Sequence, residues 1–167
     1  MRIKNIASIL SSSRESILVL HIFSFMLILP FMIKIFKIHK LVSIITPGKT
    51  HYPDNSLTLE RVIYLCRRIQ LILTKIGIKY SCLKRSLLLF RFLRYYGQPV
   101  IINFGVKWED GNLTGHSWLS LNGKPYMEPD GKVEEFSLFF SIPETESQDG
   151  TERTDIDYGK LKKTQFD

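Results

Sequence analysis

The chain is poor in cysteine, with two in 167 residues, and that scarcity rules out two ways of stabilising a small protein. Two thiols cannot build a disulfide scaffold, and without further ligands they cannot close a structural zinc site. A reduced, cytoplasm-facing protein is the simplest reading. Alanine is nearly absent, and no small-residue cleavage site follows the apolar run near the N-terminus, which disfavours a secretory signal. Acidic side chains are scarce in one half only: residues 1–97 hold 16 basic and 3 acidic groups, whereas residues 98–167 hold 7 basic and 13 acidic. The basic residues are interleaved with an apolar helical pattern and not gathered in one run with exposed aromatics, so no nucleic-acid partner is expected. No internal repeat is present.

What the chain does have is enough apolar material for a core. A hydrophobic fraction of 44%, with 11 Phe, 7 Tyr and 2 Trp, excludes a wholly disordered protein. The length suits one domain, or one domain with appendages. The run from Ile17 to Ile33 is interrupted only by His21, Ser24 and Pro30. As a helix it would span roughly 25 Å, a little short of a bilayer core. Basic residues flank it on both sides, so charge assigns no orientation. The expectation is a buried helix or a helical hairpin bent at Pro30; peripheral membrane contact and a spanning helix are the alternatives.

Residues 46–56 carry two prolines and break the helical pattern. Their PGKT string is not a phosphate-binding loop, because the required earlier glycine is replaced by Ser43. From a Ser56 cap to the stop at Gly77, residues Leu59, Val62, Ile63, Cys66, Ile69, Leu73 and Ile76 recur at helical spacing. Ser81 caps a second helix, which ends at Gly97 before Gln98-Pro99. The period then changes to strands over 100–106, 116–121 and 124–127, with turns at Asp110-Gly111 and Asn122-Gly123. One more apolar patch lies at 133–142. The pattern is α+β, helices first and a small antiparallel sheet after, divided into an apolar helical region over 1–45, a core over 56–142 and a mobile tail over 143–167.

Cys82 is the residue singled out by physical chemistry. It opens a helix, where unpaired N–H groups and the positive end of the dipole stabilise an anion, and Lys84 and Arg85 add positive charge in the same turn. Such a position favours the thiolate, the nucleophilic form. Cys66, on an apolar helix face, reads as core. Of the four histidines, His21, His39 and His51 have no reason to face Cys82, while His116 starts a strand and shares a face with Trp118 and Ser120. The acid is Glu128 or Asp130. A strict two-residue turn at Asn122-Gly123 places Glu128 on the face opposite His116; a three-residue bulged loop places Asp130 opposite His116 with Glu128 diagonal to it.

These residues match a known pattern. The stretch Cys82-Leu83-Lys84-Arg85-Ser86-Leu87, the segment Leu93-Arg94-Tyr95-Tyr96-Gly97, the strand end Gly105-Val106, His116-Ser117-Trp118-Leu119, and Asn122-Gly123 with Glu128 resemble the leader peptidases of lasso peptide biosynthesis. These are the stand-alone transglutaminase-like half of the B protein, related to papain. The resemblance implies a transglutaminase-like fold and a cysteine peptidase that removes the leader from a ribosomally made precursor, with Cys82 as nucleophile, His116 as general base and Glu128 as the acid that orients it. It implies a precursor peptide as substrate, with a separate leader-recognition protein and a lasso cyclase as partners, and calls for no cofactor and no metal. The family's alanine and glutamate around the tryptophan are here Ser117 and Ser120. The backbone N–H of Cys82 supplies one oxyanion donor; residues 76–80 hold no glutamine for the second, and Gln70 belongs to the preceding helix. A non-catalytic peptide-binding module and an acyl transferase on the same fold are the competing readings.

Overall fold

The computed structural model describes residues 13–49, 59–75, 77–78, 80–128 and 132–143. Four helices precede a four-stranded antiparallel sheet: α1 (Ser13–Ile35), α2 (Ile38–Ile45), α3 (Leu59–Lys75), α4 (Cys82–Tyr95), β1 (Ile101–Glu109), β2 (Asn112–Leu121), β3 (Lys124–Tyr126) and β4 (Ser137–Ile142), with sheet order β3-β2-β1-β4. The expected α+β arrangement is present. The expected caps at Ser56 and the tail after Pro143 lie outside the described residues.

The central element is α4. Its residues Leu87, Leu88, Leu89, Phe90, Phe92 and Leu93 are buried almost all round, as a helix covered on several sides must be. One side packs on α1 and α3, the other on β1 and β2. The core joins helical Ile22, Met26, Leu65 and Leu73 to sheet residues Ile102 and Leu119. Arg91 of α4 donates to the carbonyl of Ile45 at 2.9 Å, satisfying the C-terminal end of α2.

Both hairpin turns follow the residue pattern. Asp110 and Gly111 take φ values of 50° and 77°, Asn122 and Gly123 of 52° and 76°, the pair of positive angles that a two-residue turn matching strand twist requires. The first hairpin carries β2 back to Asn112, four residues earlier than the 116–121 strand expected, because residues 112–115 pair with the far end of β1.

The helix α1 runs through Pro30 without a hairpin. Proline removes one N–H, which leaves the carbonyl four residues earlier without its helical donor. That carbonyl belongs to Met26, and the Tyr80 hydroxyl donates to it at 2.8 Å. Of the buried helix and the hairpin bent at Pro30, the continuous helix is the one present, and the carbonyl that Pro30 strands is satisfied by a residue 54 positions away. Burial pushes the Tyr80 hydroxyl up to about 12, so it stays a donor. Tyr80→Phe is expected to cost about 1 kcal/mol or more of stability by stranding that carbonyl, read as a lower melting temperature; unchanged melting would mean the carbonyl is served otherwise.

Candidate active site

Ser81 stands at the N-cap of α4 in extended conformation, and its hydroxyl accepts from the Lys84 N–H at 3.5 Å. The helix therefore begins at Cys82, which the same local chemistry predicts. Cys82 is half-buried and unpaired with Cys66. It lines a cleft of about 200 Å³ together with Gln70, Tyr80, Ser81, Arg85, His116 and Lys132. Sequence placed Cys82 and His116 on different elements; the fold brings both to this cleft.

His116 is held on both sides. Its ring lies nearly parallel to Trp118, centroids 6.1 Å apart at 14°, and 5.0 Å from the ring of Phe136 in the approach to β4. Gly105 sits opposite His116 in the β1–β2 ladder. A Cβ there would meet the Trp118 ring at 2.7 Å and the Ser137 carbonyl at 3.0 Å, so the glycine of the Gly105-Val106 strand end makes room for the tryptophan that flanks the histidine.

The Nε2 atom of His116 faces Glu128 Oε2 at 3.5 Å, and both side chains are buried, at 8% and 4% exposure. Neither atom has a hydrogen-bond partner among the described residues. This distance makes the contact electrostatic. The other carboxylate oxygen of Glu128 accepts from Arg85. Asn122-Gly123 forms the strict two-residue turn, with Leu121 paired to Lys124, the register that by alternation would send Glu128 away from His116. Met127 removes the conflict. It takes a φ of 63°, the ladder stops at Tyr126, and Glu128 is released from strand alternation. Asp130 lies outside the described residues.

Charge around the histidine differs from expectation. Burial holds His116 below its ordinary value; Glu128 opposes this, while Lys132 and Arg85 reinforce it. A neighbouring carboxylate by itself favours an imidazolium, but burial outweighs it and Arg85 draws off part of its field. Arg85, expected to act beside the thiol, is committed to the acid. Ser86, next in the same string, donates to the Ser117 carbonyl at 2.9 Å and fastens α4 to β2 beside His116. Cys66 is fully buried and its thiol is pushed up to about 12 by desolvation.

Gln70 was set aside as a helix residue, and its presence in the cleft depends on how α3 packs beside α4. The Tyr80 hydroxyl is occupied with Met26 and the Arg85 guanidinium with Glu128. Among the side chains lining the cleft, Gln70 alone offers a neutral amide N–H. No spacing in the sequence points to it.

A cysteine at a helix N-terminus, sharing a cleft with a histidine backed by a buried carboxylate, can carry thiol-dependent acyl transfer. A model of the transglutaminase-like superfamily matches residues 25–141, more than two thirds of the chain. This protein belongs to the transglutaminase-like superfamily, which includes cysteine peptidases and transglutaminases. No curated protein and no solved structure matches the chain.

Proposed function

We propose that this protein is a cysteine peptidase that removes the leader from a ribosomally made lasso precursor, with Cys82 as nucleophile, His116 as base and Glu128 as the orienting acid. The observation that carries the chemistry is the single cleft holding Cys82 and His116, with Nε2 of the histidine turned to a buried carboxylate. The particular substrate rests on the resemblance of the Cys82–Leu87, Gly105-Val106 and His116–Leu119 strings to lasso leader peptidases. Several residues of those strings have structural work at this site: Arg85 on Glu128, Ser86 on Ser117, Gly105 beneath Trp118.

With His116 held below its ordinary range, the ring is neutral at neutral pH. It takes the Cys82 proton as sulfur bonds to the carbonyl carbon at the leader–core junction. The nitrogen left for this exchange is Nδ1, since Nε2 faces Glu128. Collapse breaks the C–N bond, His116 protonates the departing amine, and water activated by the same ring releases the leader acid and restores the thiol. The Cys82 N–H at the helix start and the Gln70 amide hold the negative oxygen of the intermediate. Gln70→Glu, which keeps the shape and loses the N–H₂, is expected to lower kcat by roughly 10²-fold with little change in KM; an unchanged kcat removes Gln70 from this role.

The test is incubation with a candidate precursor, the leader-recognition partner and H₂¹⁸O, followed by mass spectrometry. Hydrolysis places ¹⁸O in the leader's new carboxylate. An amine adduct at that carboxyl, without ¹⁸O, would establish acyl transfer in place of hydrolysis, and an intact precursor would overturn the leader-peptidase reading.

A further inference from the structure

The helix α1 is apolar on every side, and the described residues bury only one of them. Leu18, Ile22, Met26 and Leu29 are buried. On the opposite side Ile17, Leu20, Leu27, Ile28, Phe31 and Ile35 are exposed, Phe31 and Ile35 at 67% and 73%. At 100° per residue these six fall within an arc of about 100°, a continuous ridge along roughly 27 Å of helix. Residues 16–33 contain no charged side chain. Lys34, Lys37 and Lys40 then follow at one end, all exposed.

By length and composition Glu15–Ile35 could cross a membrane. The tertiary contacts oppose it. The Glu15 carboxylate, 5% exposed, is paired with Arg61 at 2.9 Å, Met26 is tied to Tyr80 through its carbonyl, and the inner side belongs to the core shared with α3 and α4. Spanning would strip all of these away. A protein partner fits poorly too, because non-obligate protein interfaces are about as polar as other surface and carry a hydrogen bond per 100–200 Å² or so, whereas this ridge offers only His21 and Ser24 as polar groups. A lipid interface asks for no hydrogen bonds and accommodates a convex ridge, and lysines at its margin attract anionic headgroups.

We propose that the outer face of α1 lies in the plane of an anionic phospholipid surface, seated by Ile17, Leu20, Leu27, Ile28, Phe31 and Ile35, with Lys34, Lys37 and Lys40 on the headgroups. The protein is then peripheral, its catalytic cleft carried on a helix that stays packed in its core. The proposal is independent of the reaction at Cys82.

Flotation of the full chain with vesicles of phosphatidylcholine, with and without phosphatidylglycerol, tests it. The protein is expected to float with the phosphatidylglycerol vesicles and to be released by added salt or alkaline carbonate. The double variant Leu20→Glu/Phe31→Glu changes two exposed positions; with its circular dichroism and melting retained, it is expected to bind at least tenfold more weakly. Replacing Lys34, Lys37 and Lys40 together by Gln should weaken binding to anionic vesicles by roughly 100-fold. Cys82→Ala should bind as the wild type does. Absence of flotation with either vesicle, or binding that survives the double variant, overturns the proposal. So does resistance to carbonate, which would mean a spanning helix. Self-association of the wild type in sedimentation velocity that the same double variant abolishes, without lipid binding, would overturn it in favour of a protein interface.

Discussion

Cys82→Ala is expected to lower precursor cleavage by at least about 10⁴-fold while leaving the fold intact, because the variant removes the only thiol in the cleft. Cys66 cannot substitute. It is fully buried in the core and its thiol is pushed up to about 12, which keeps it un-ionised and out of reach of substrate. Iodoacetamide should therefore add to one site per chain, Cys82, and alkylation should abolish cleavage in step. His116→Ala should cost a similar factor, and combining the two should add little, since nucleophile and base act as one unit. Wild-type cleavage by Cys82→Ala, or equal labelling of both cysteines, would refute the assignment and leave a binding module on this fold.

Arg85→Met is expected to act on stability and on pH dependence together. Glu128 is 4% exposed at its side chain and keeps Arg85 as its cationic partner. Removing the guanidinium leaves a buried carboxylate uncompensated, at a cost of about 3 kcal/mol, seen as a lower denaturation midpoint. The wild-type histidine is held below 6.5 by burial, with Lys132 and then Arg85 contributing. The unfolded ring takes its proton near 6.5 and the folded ring only at lower pH. Stability and neutral-base activity are therefore both full above 6.5 and decline as pH falls through the window beneath it. In Arg85→Met one of the two cations that oppose protonation of His116 is gone while Lys132 and Glu128 remain, so the acid limb of the rate profile moves to higher pH. In Glu128→Gln the attraction is lost and the limb moves lower, with a drop in rate. A merely structural Arg85 would lower the midpoint and leave the limb in place. Asp130→Asn provides the comparison for the acid: if it costs more activity than Glu128→Gln, the orienting role passes to Asp130.

The paired behaviour of Arg85 and Glu128 illustrates which parts of the site the residue pattern could carry. The start of α4 at Cys82 was legible because an N-cap is decided by Ser81 and the residues just after it. The turns at Asp110-Gly111 and Asn122-Gly123 were legible for the same reason, since few residue pairs accept two positive φ angles. The core face of α3, with Val62, Cys66, Ile69 and Leu73, followed from periodicity. Glu128 could not be resolved that way. Strand alternation after a two-residue turn sends it to the wrong face, and only the positive φ at Met127 reverses this; a methionine gives no local sign of that conformation. The residue pattern left α1 open between one helix and a hairpin bent at Pro30, because the distant donor that meets the stranded carbonyl, Tyr80, has no local sign.

The sequence by itself determined the class of fold, the helix that begins at Cys82, the hairpin that carries His116, and the core role of Cys66. These depend on interactions within a few residues or on a repeating period. Tertiary structure alone decided that Cys82, His116 and Gln70 share one cleft, that Arg85 serves Glu128 and not the thiol, that burial overrides the carboxylate at His116, and that among the described residues one side of α1 stays exposed. Each of these depends on what a side chain meets across the packed helix–sheet boundary, where desolvation and charge are set by residues tens of positions away.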